Sequence, residues 1–185
     1  MRYEYKILLL AGMFCNLGDN LIGPFWAIWV KKITEDPLII GNSIAFYSLL
    51  TGIFIILFGK LSDKYSKELF AVAGYFLFFV GTVLYLFISV PWHLYAQQVF
   101  FALGGMFLAG PLKALFAKSI DEKSAGFLWS LDEASNKIIV AASVSLGALI
   151  VKYFGFTILF SIMASLQFVS VILLAGLYLK SRKMA

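Results

Sequence analysis

Asn16, Asp19 and Asn20 fall at i, i+3 and i+4 within an apolar run, so a helix would carry all three on one face. An acid flanked by two carboxamides can hold a proton, meet a cation or line a wet surface. A second group, Asp132, Glu133, Asn136 and Lys137, combines both signs of charge with an amide. Glu133 and Lys137 stand at i, i+4 with the glutamate N-terminal, the favourable order for an ion pair, and Asp132 and Asn136 repeat that spacing. Lys113 adds a cation two residues beyond Pro111. Nothing here is arranged for covalent chemistry. His93 is the single histidine, beside Pro91 and Trp92, and Cys15 is the single cysteine, which leaves no pair for a disulfide or a thiolate metal site. The chain is therefore expected to have no catalytic residue, no metal and no cofactor, and not to be an enzyme. Its polar groups suit recognition and proton exchange.

Those groups need elements that can hold them in an unusual solvent. Hydrophobic residues make up 62% of the 185 and charged residues only 14%. Apolar runs recur at lengths that cross ~30 Å of hydrocarbon as helices. In lipid a strand edge would leave backbone groups unpaired, so an all-helical chain is expected. We read six spans: Ile7–Val30, Gly41–Phe58, Leu69–Phe87, Leu94–Phe116, Phe127–Val151 and Phe156–Leu179. The first run begins within seven residues and continues too far for a cleaved leader. Short connections predict one six-helix transmembrane domain over residues 1–185. Asp19 then lies about 18 Å of helical rise into its span, near the bilayer midplane. A charge there costs at least ~2.5–3.5 kcal/mol on insertion scales, so it should face a partner or water.

Basic residues set the orientation. Arg2, Lys6, Lys60, Lys64, Lys67, Lys118, Lys123, Lys180, Arg182 and Lys183 flank one side, against Lys31, Lys32 and Lys152 on the other. Both termini are predicted cytoplasmic, with Trp26, Trp29 and Trp92 near the outer interface. The basic excess is a topology signal rather than a nucleic-acid footprint, so no nucleic-acid partner is expected. Heavy use of lysine over arginine, with very short loops, suggests a prokaryotic inner (plasma) membrane.

LIGPFWAIWVKK (21–32) and LAGPLKALFAKS (108–119) align at an offset of 87 residues. Leu21, Gly23, Pro24, Ala27 and Lys31 match Leu108, Gly110, Pro111, Ala114 and Lys118. Proline removes a backbone donor and bends a helix, so Gly23, Pro24, Gly110 and Pro111 are candidate kinks. Each copy holds three spans. That odd number inverts the second copy, giving repeats over roughly 1–90 and 91–185. Gly/Pro-interrupted spans at corresponding places point to a transport site.

The sharpest motif is the loop between spans two and three, Gly59-Lys60-Leu61-Ser62-Asp63-Lys64-Tyr65-Ser66-Lys67. It resembles the signature of the major facilitator superfamily: glycine, any residue, leucine, a small residue, aspartate, a basic residue, any residue, glycine, then basic residues. Gly59, Leu61, Ser62, Asp63, Lys64 and Lys67 fit that pattern. Ser66 replaces the second glycine, and Glu68 a common basic residue. Gln97 and Gln98 stand in span four where the family often has an arginine.

The resemblance implies a half-size, six-helix member similar to the N-terminal half of a twelve-helix fold. It also implies that first and fourth helices line a cavity, that second and fifth flank the interface between halves, and that third and sixth face lipid. The family's halves are related by an axis along the membrane normal. Two parallel copies could therefore complete the fold, and closed symmetric pairs are the common oligomer. We expect a parallel homodimer moving a small solute by alternating access. Asp19 would be the coupling acid, because two carboxylates meeting in a low-dielectric cavity share a proton. Asp63 would latch the cytoplasmic side against the partner's Ser124-Ala125-Gly126 helix start, whose dipole suits a carboxylate. A non-transporting membrane scaffold or assembly protein, or a half completed by a different chain, would carry the same spans.

Overall fold

A computed structural model describes residues 3–60, 64–120 and 122–184. Its described residues form seven helices and no strand: α1 (Tyr3–Ile22), α2 (Phe25–Val30), α3 (Pro37–Phe58), α4 (Lys67–Leu84), α5 (Pro91–Ala109), α6 (Pro111–Ser119) and α7 (Ala125–Met184). A 3-10 turn over Tyr85–Phe87 extends α4. Four helical stretches are long and apolar enough to cross a membrane, beginning at Pro37, Lys67, Pro91 and Ala125.

Local chemistry sets the boundaries. The Asp36 carboxylate accepts from the Leu38 backbone N–H at 2.9 Å, with Pro37 opening α3. Ser66 caps α4: its hydroxyl accepts from the Leu69 N–H at 3.2 Å and donates to Glu68 at 2.9 Å. The two departures from the loop signature, Ser66 and Glu68, thus start the next helix together. Leu61, Ser62 and Asp63 lie outside the described residues.

The span read as Ile7–Val30 is divided. α1 ends at Ile22, Gly23 takes φ +23°, and α2 starts after Pro24. The span read as Leu94–Phe116 is divided likewise, with Gly110 separating α5 from α6 and Pro111 opening the latter. Proline at a helix start sacrifices only a donor that would have had no intrahelical partner.

α7 is interrupted at Gly155, whose φ of 79° and ψ of 179° lie outside the helical region. Contacts with α1 reveal the direction of each part. Tyr5 reaches the Leu128 carbonyl and Leu21 abuts Gly147, so the first part runs parallel to α1. Gly18 then abuts Met163, and Ser170 donates to the Ala11 carbonyl at 2.9 Å, so the second part runs back. The chain reverses at Gly155. α1 lies against both arms of this hairpin.

Missing side chains allow close crossings, a common device between helices in lipid. A Cβ at Gly147 would collide with the Leu21 carbonyl oxygen. Gly74 on α4 and Gly104 on α5 face one another, each carbonyl 3.1 Å from where the other's Cβ would stand. An aromatic cluster closes one end of the bundle: Trp29 meets Tyr85 and Phe160 edge-on, and Tyr85 stacks on Phe160 at 4.6 Å. Trp29, read as an interfacial anchor, is buried there. α3 is the contrast. It packs on α5 yet buries only Ser43, leaving Leu49, Ile56 and Leu57 exposed.

Candidate polar cavity

α1 carries Asn16 and Asp19 into a cavity of about 260 Å³. α6 supplies Lys113, the first arm of α7 supplies Asp132 and Asn136, and α4 closes it with Tyr75 and Phe78. Asn16 Nδ2 donates to Asn136 Oδ1 at 2.7 Å, tying α1 to α7 across the cavity wall. Asp19 accepts from Gln167 Nε2 at 3.1 Å, a donor on the returning arm of α7. Gln167 is fully buried, and its Oε1 has no partner. A neutral amide thus holds the carboxylate in place without neutralising it. Phe116 and Trp129 complete an apolar wall.

Five of the sequence-selected residues meet at this cavity: Asn16, Asp19, Lys113, Asp132 and Asn136. Asn20 does not line it; its side chain donates to the Asn16 carbonyl at 2.7 Å, one turn back. Glu133 and Lys137 lie elsewhere as well. They pair at 3.3 Å on the outer face of α7, with side chains 67% and 78% exposed. The expected Asp132–Asn136 pair is replaced by the Asn16–Asn136 bond. Gly59 ends α3 and Lys67 begins α4, both away from the cavity lining, and Lys64 is exposed.

Gln167, Trp129 and Phe78 are among the lining or supporting residues that the sequence reading did not select. Gln167 and Trp129 carried a readable signal: a carboxamide in the middle of an apolar run, and an aromatic one turn before Asp132–Glu133. Phe78 carried none. The third and sixth spans also differ from the lipid-facing role that the resemblance implied. Tyr75 and Phe78 reach the cavity from the third, and Gln167 and Ser170 are buried from the sixth. The physical reason is that α1 must be packed on several sides once Asp19 needs a donor.

Recognition in such a cavity would rest on shape and charge. It offers two carboxylates, an ammonium, two carboxamides and aromatic surface, near the lower end of volumes that enclose a small organic molecule. Among the described residues no His, Cys, Asp and Glu cluster could hold a metal.

A sequence model of the Major Facilitator Superfamily matches residues 8–184, nearly the whole chain. The chain belongs to the major facilitator superfamily. It is 31% identical to an uncharacterized transporter of Buchnera aphidicola over 75% of this chain and 35% of that protein. It is 31% identical to an uncharacterized MFS-type transporter of Bacillus subtilis over 56% of this chain and 24% of the relative. A multidrug resistance protein, MdtH, of Blochmanniella floridana is 23% identical over 80% of this chain and 37% of its own length. The chain thus spans roughly a third of the length of these curated relatives, from 24% to 37%. No solved structure matches it. As a major facilitator chain with several long apolar helices it is a multi-pass membrane protein, and its relatives are named as transporters, not enzymes.

Proposed function

We propose that this chain is one six-helix half of a transporter, that two parallel copies enclose the polar cavity between them, and that the pair carries a small solute by alternating access coupled to protons. The six crossings would be α1 with α2, α3, α4, α5 with α6, and the two arms of α7. Residues 1–90 and 91–185 would be inverted repeats, each opened by a Gly-Pro interruption. Both termini would be cytoplasmic in a plasma membrane.

The supporting observation is the convergence of Asn16, Asp19, Lys113, Asp132 and Asn136 on one cavity. Such a face is costly against acyl chains and needs either water or a second body. Asp19 would take up and release the transported proton, with Gln167 holding its orientation. Lys113 and Asp132 would meet opposite charges on the solute. Asp63, beyond the described residues, would latch the cytoplasmic side against the partner's α7 start.

The test uses proteoliposomes, a pH gradient and labelled amino acids, nucleosides and small organic cations as probes. Gradient-driven accumulation of at least one probe should be lost in Asp19→Asn, while counterflow without a gradient persists. Gradient-driven accumulation that survives in Asp19→Asn would remove the proton-carrying role. For the latch, Asp63→Asn should raise thiol labelling at the cytoplasmic entrance; unchanged labelling would end that idea.

A further inference from the structure

Asp19 is approached by empty space from two directions. The cavity above reaches it from the end of the molecule that holds Leu8, Phe116 and Trp129. A second cavity, of about 200 Å³, reaches it from the opposite end, where Ile22, Tyr47 and Tyr85 lie. The two linings share two residues, Asp19 and Phe78. These two side chains therefore form the wall between the cavities, one polar and the other an apolar ring.

The ring is held for that task. It leans on Phe101 with centroids 5.5 Å apart, and Phe101 itself lines the second cavity. It lies so close to the α5 backbone that a Cβ at Gly104 would come within 2.7 Å of its Cδ2. Glycine at 104 therefore gives the ring a seat that any other residue would fill. A phenyl ring neither donates nor accepts a strong hydrogen bond, so water files from the two cavities cannot join through it. The ring is nonetheless only half-buried, so it is not locked into the core.

We propose that Phe78 is the partition at Asp19: a positioning residue whose ring decides from which end of the molecule the carboxylate is reached. This rests on the reading of Asp19 as a group on the transport path. It assigns to one apolar side chain the separation that keeps protons from crossing without cargo. With the ring removed, the two cavities become one path past Asp19, and if Asp19 carries protons the protein leaks them.

Accessibility tests the partition without knowledge of the solute. In a Cys15→Ala background, Tyr47→Cys places a thiol in the second cavity, and a membrane-impermeant thiosulfonate is added to either side of proteoliposomes. With the Phe78 ring seated, labelling should come from the Tyr47 end alone. In Phe78→Ala labelling from the far side should rise toward the rate seen from the Tyr47 end. Phe78→Leu, which keeps the apolar packing, should fall between. Gly104→Ala should mimic Phe78→Ala with the ring still present but unseated. Two-sided labelling in the parent, or one-sided labelling in a Phe78→Leu and Phe78→Ala pair that melt like the parent, overturns the partition. Decay of a pH gradient, read by an entrapped dye, separates this from the proton reading. Labelling that becomes two-sided while the gradient decays at the parent's rate upholds the partition and removes Asp19 as a proton carrier.

Discussion

Asp19 and Glu133 are both carboxylates on long apolar helices, and the chain treats them in opposite ways. Asp19 lies on a packed face, held by Gln167 from a helix that returns from a reversal 12 residues earlier, at Gly155. Glu133 turns outward and pairs with its own helix neighbour Lys137. The first arrangement commits two segments far apart in sequence to one oxygen atom. The second needs one turn of one helix and survives on any helix surface. The difference marks which acid the fold is organised around. Glu133 is neutralised locally by Lys137, whereas Asp19 is held by an amide that leaves its charge uncompensated, as its proposed role on the transport path requires.

The comparison can be broken from the packing side first. Gly147→Leu drives a branched side chain into the Leu21 backbone, where α1 and α7 touch. Overpacking of this kind costs about 1–3 kcal/mol or more, and a backbone collision is at the upper end. Thermal unfolding in detergent should drop sharply, and Asn16–Asn136 and Asp19–Gln167 should part together. An unchanged melting curve would mean α1 and α7 do not cross here.

Removing the donor sharpens it. Gln167→Leu leaves Asp19 without its amide at a cost of about 1 kcal/mol, between the usual value for a buried bond and the smaller average found in membranes. Gln167→Glu, similar in shape, sets a second carboxylate beside Asp19 and should alter the pH dependence of any gradient-driven flux. Equal flux profiles for wild type and Gln167→Glu would show that Asp19 acts without Gln167. Smallest of all, Glu133→Gln with Lys137→Gln should change stability by less than about 0.5 kcal/mol and flux not at all. A large loss of flux in that double variant would return the pair to the transport path.

Much of this was legible in the chain. Apolar runs located the long helices to within a few residues, and Gly-Pro marked where two of them divide. The loop signature led to the family before any comparison. The face of the second polar group was not legible. Asp132 with Asn136 and Glu133 with Lys137 have the same spacing, and one helix cannot say which side its neighbours will take. That was settled by Asn16, more than a hundred residues away in sequence. Gln167 stands in a run without any ionisable neighbour, so nothing beside it pointed to a polar face, although an amide in lipid is nearly as demanding of a partner. Phe78 could not have been found. The role proposed for it comes from two empty spaces, which no sequence spells.

The most direct measurement counts subunits in the bilayer. Chains carrying one fluorophore each, reconstituted at low density, should bleach in two steps, and a single cysteine placed at Asn136 should cross-link to its twin. Predominantly single-step bleaching with no cross-link, in protein that retains its melting transition, would contradict the claim that two copies close one cavity.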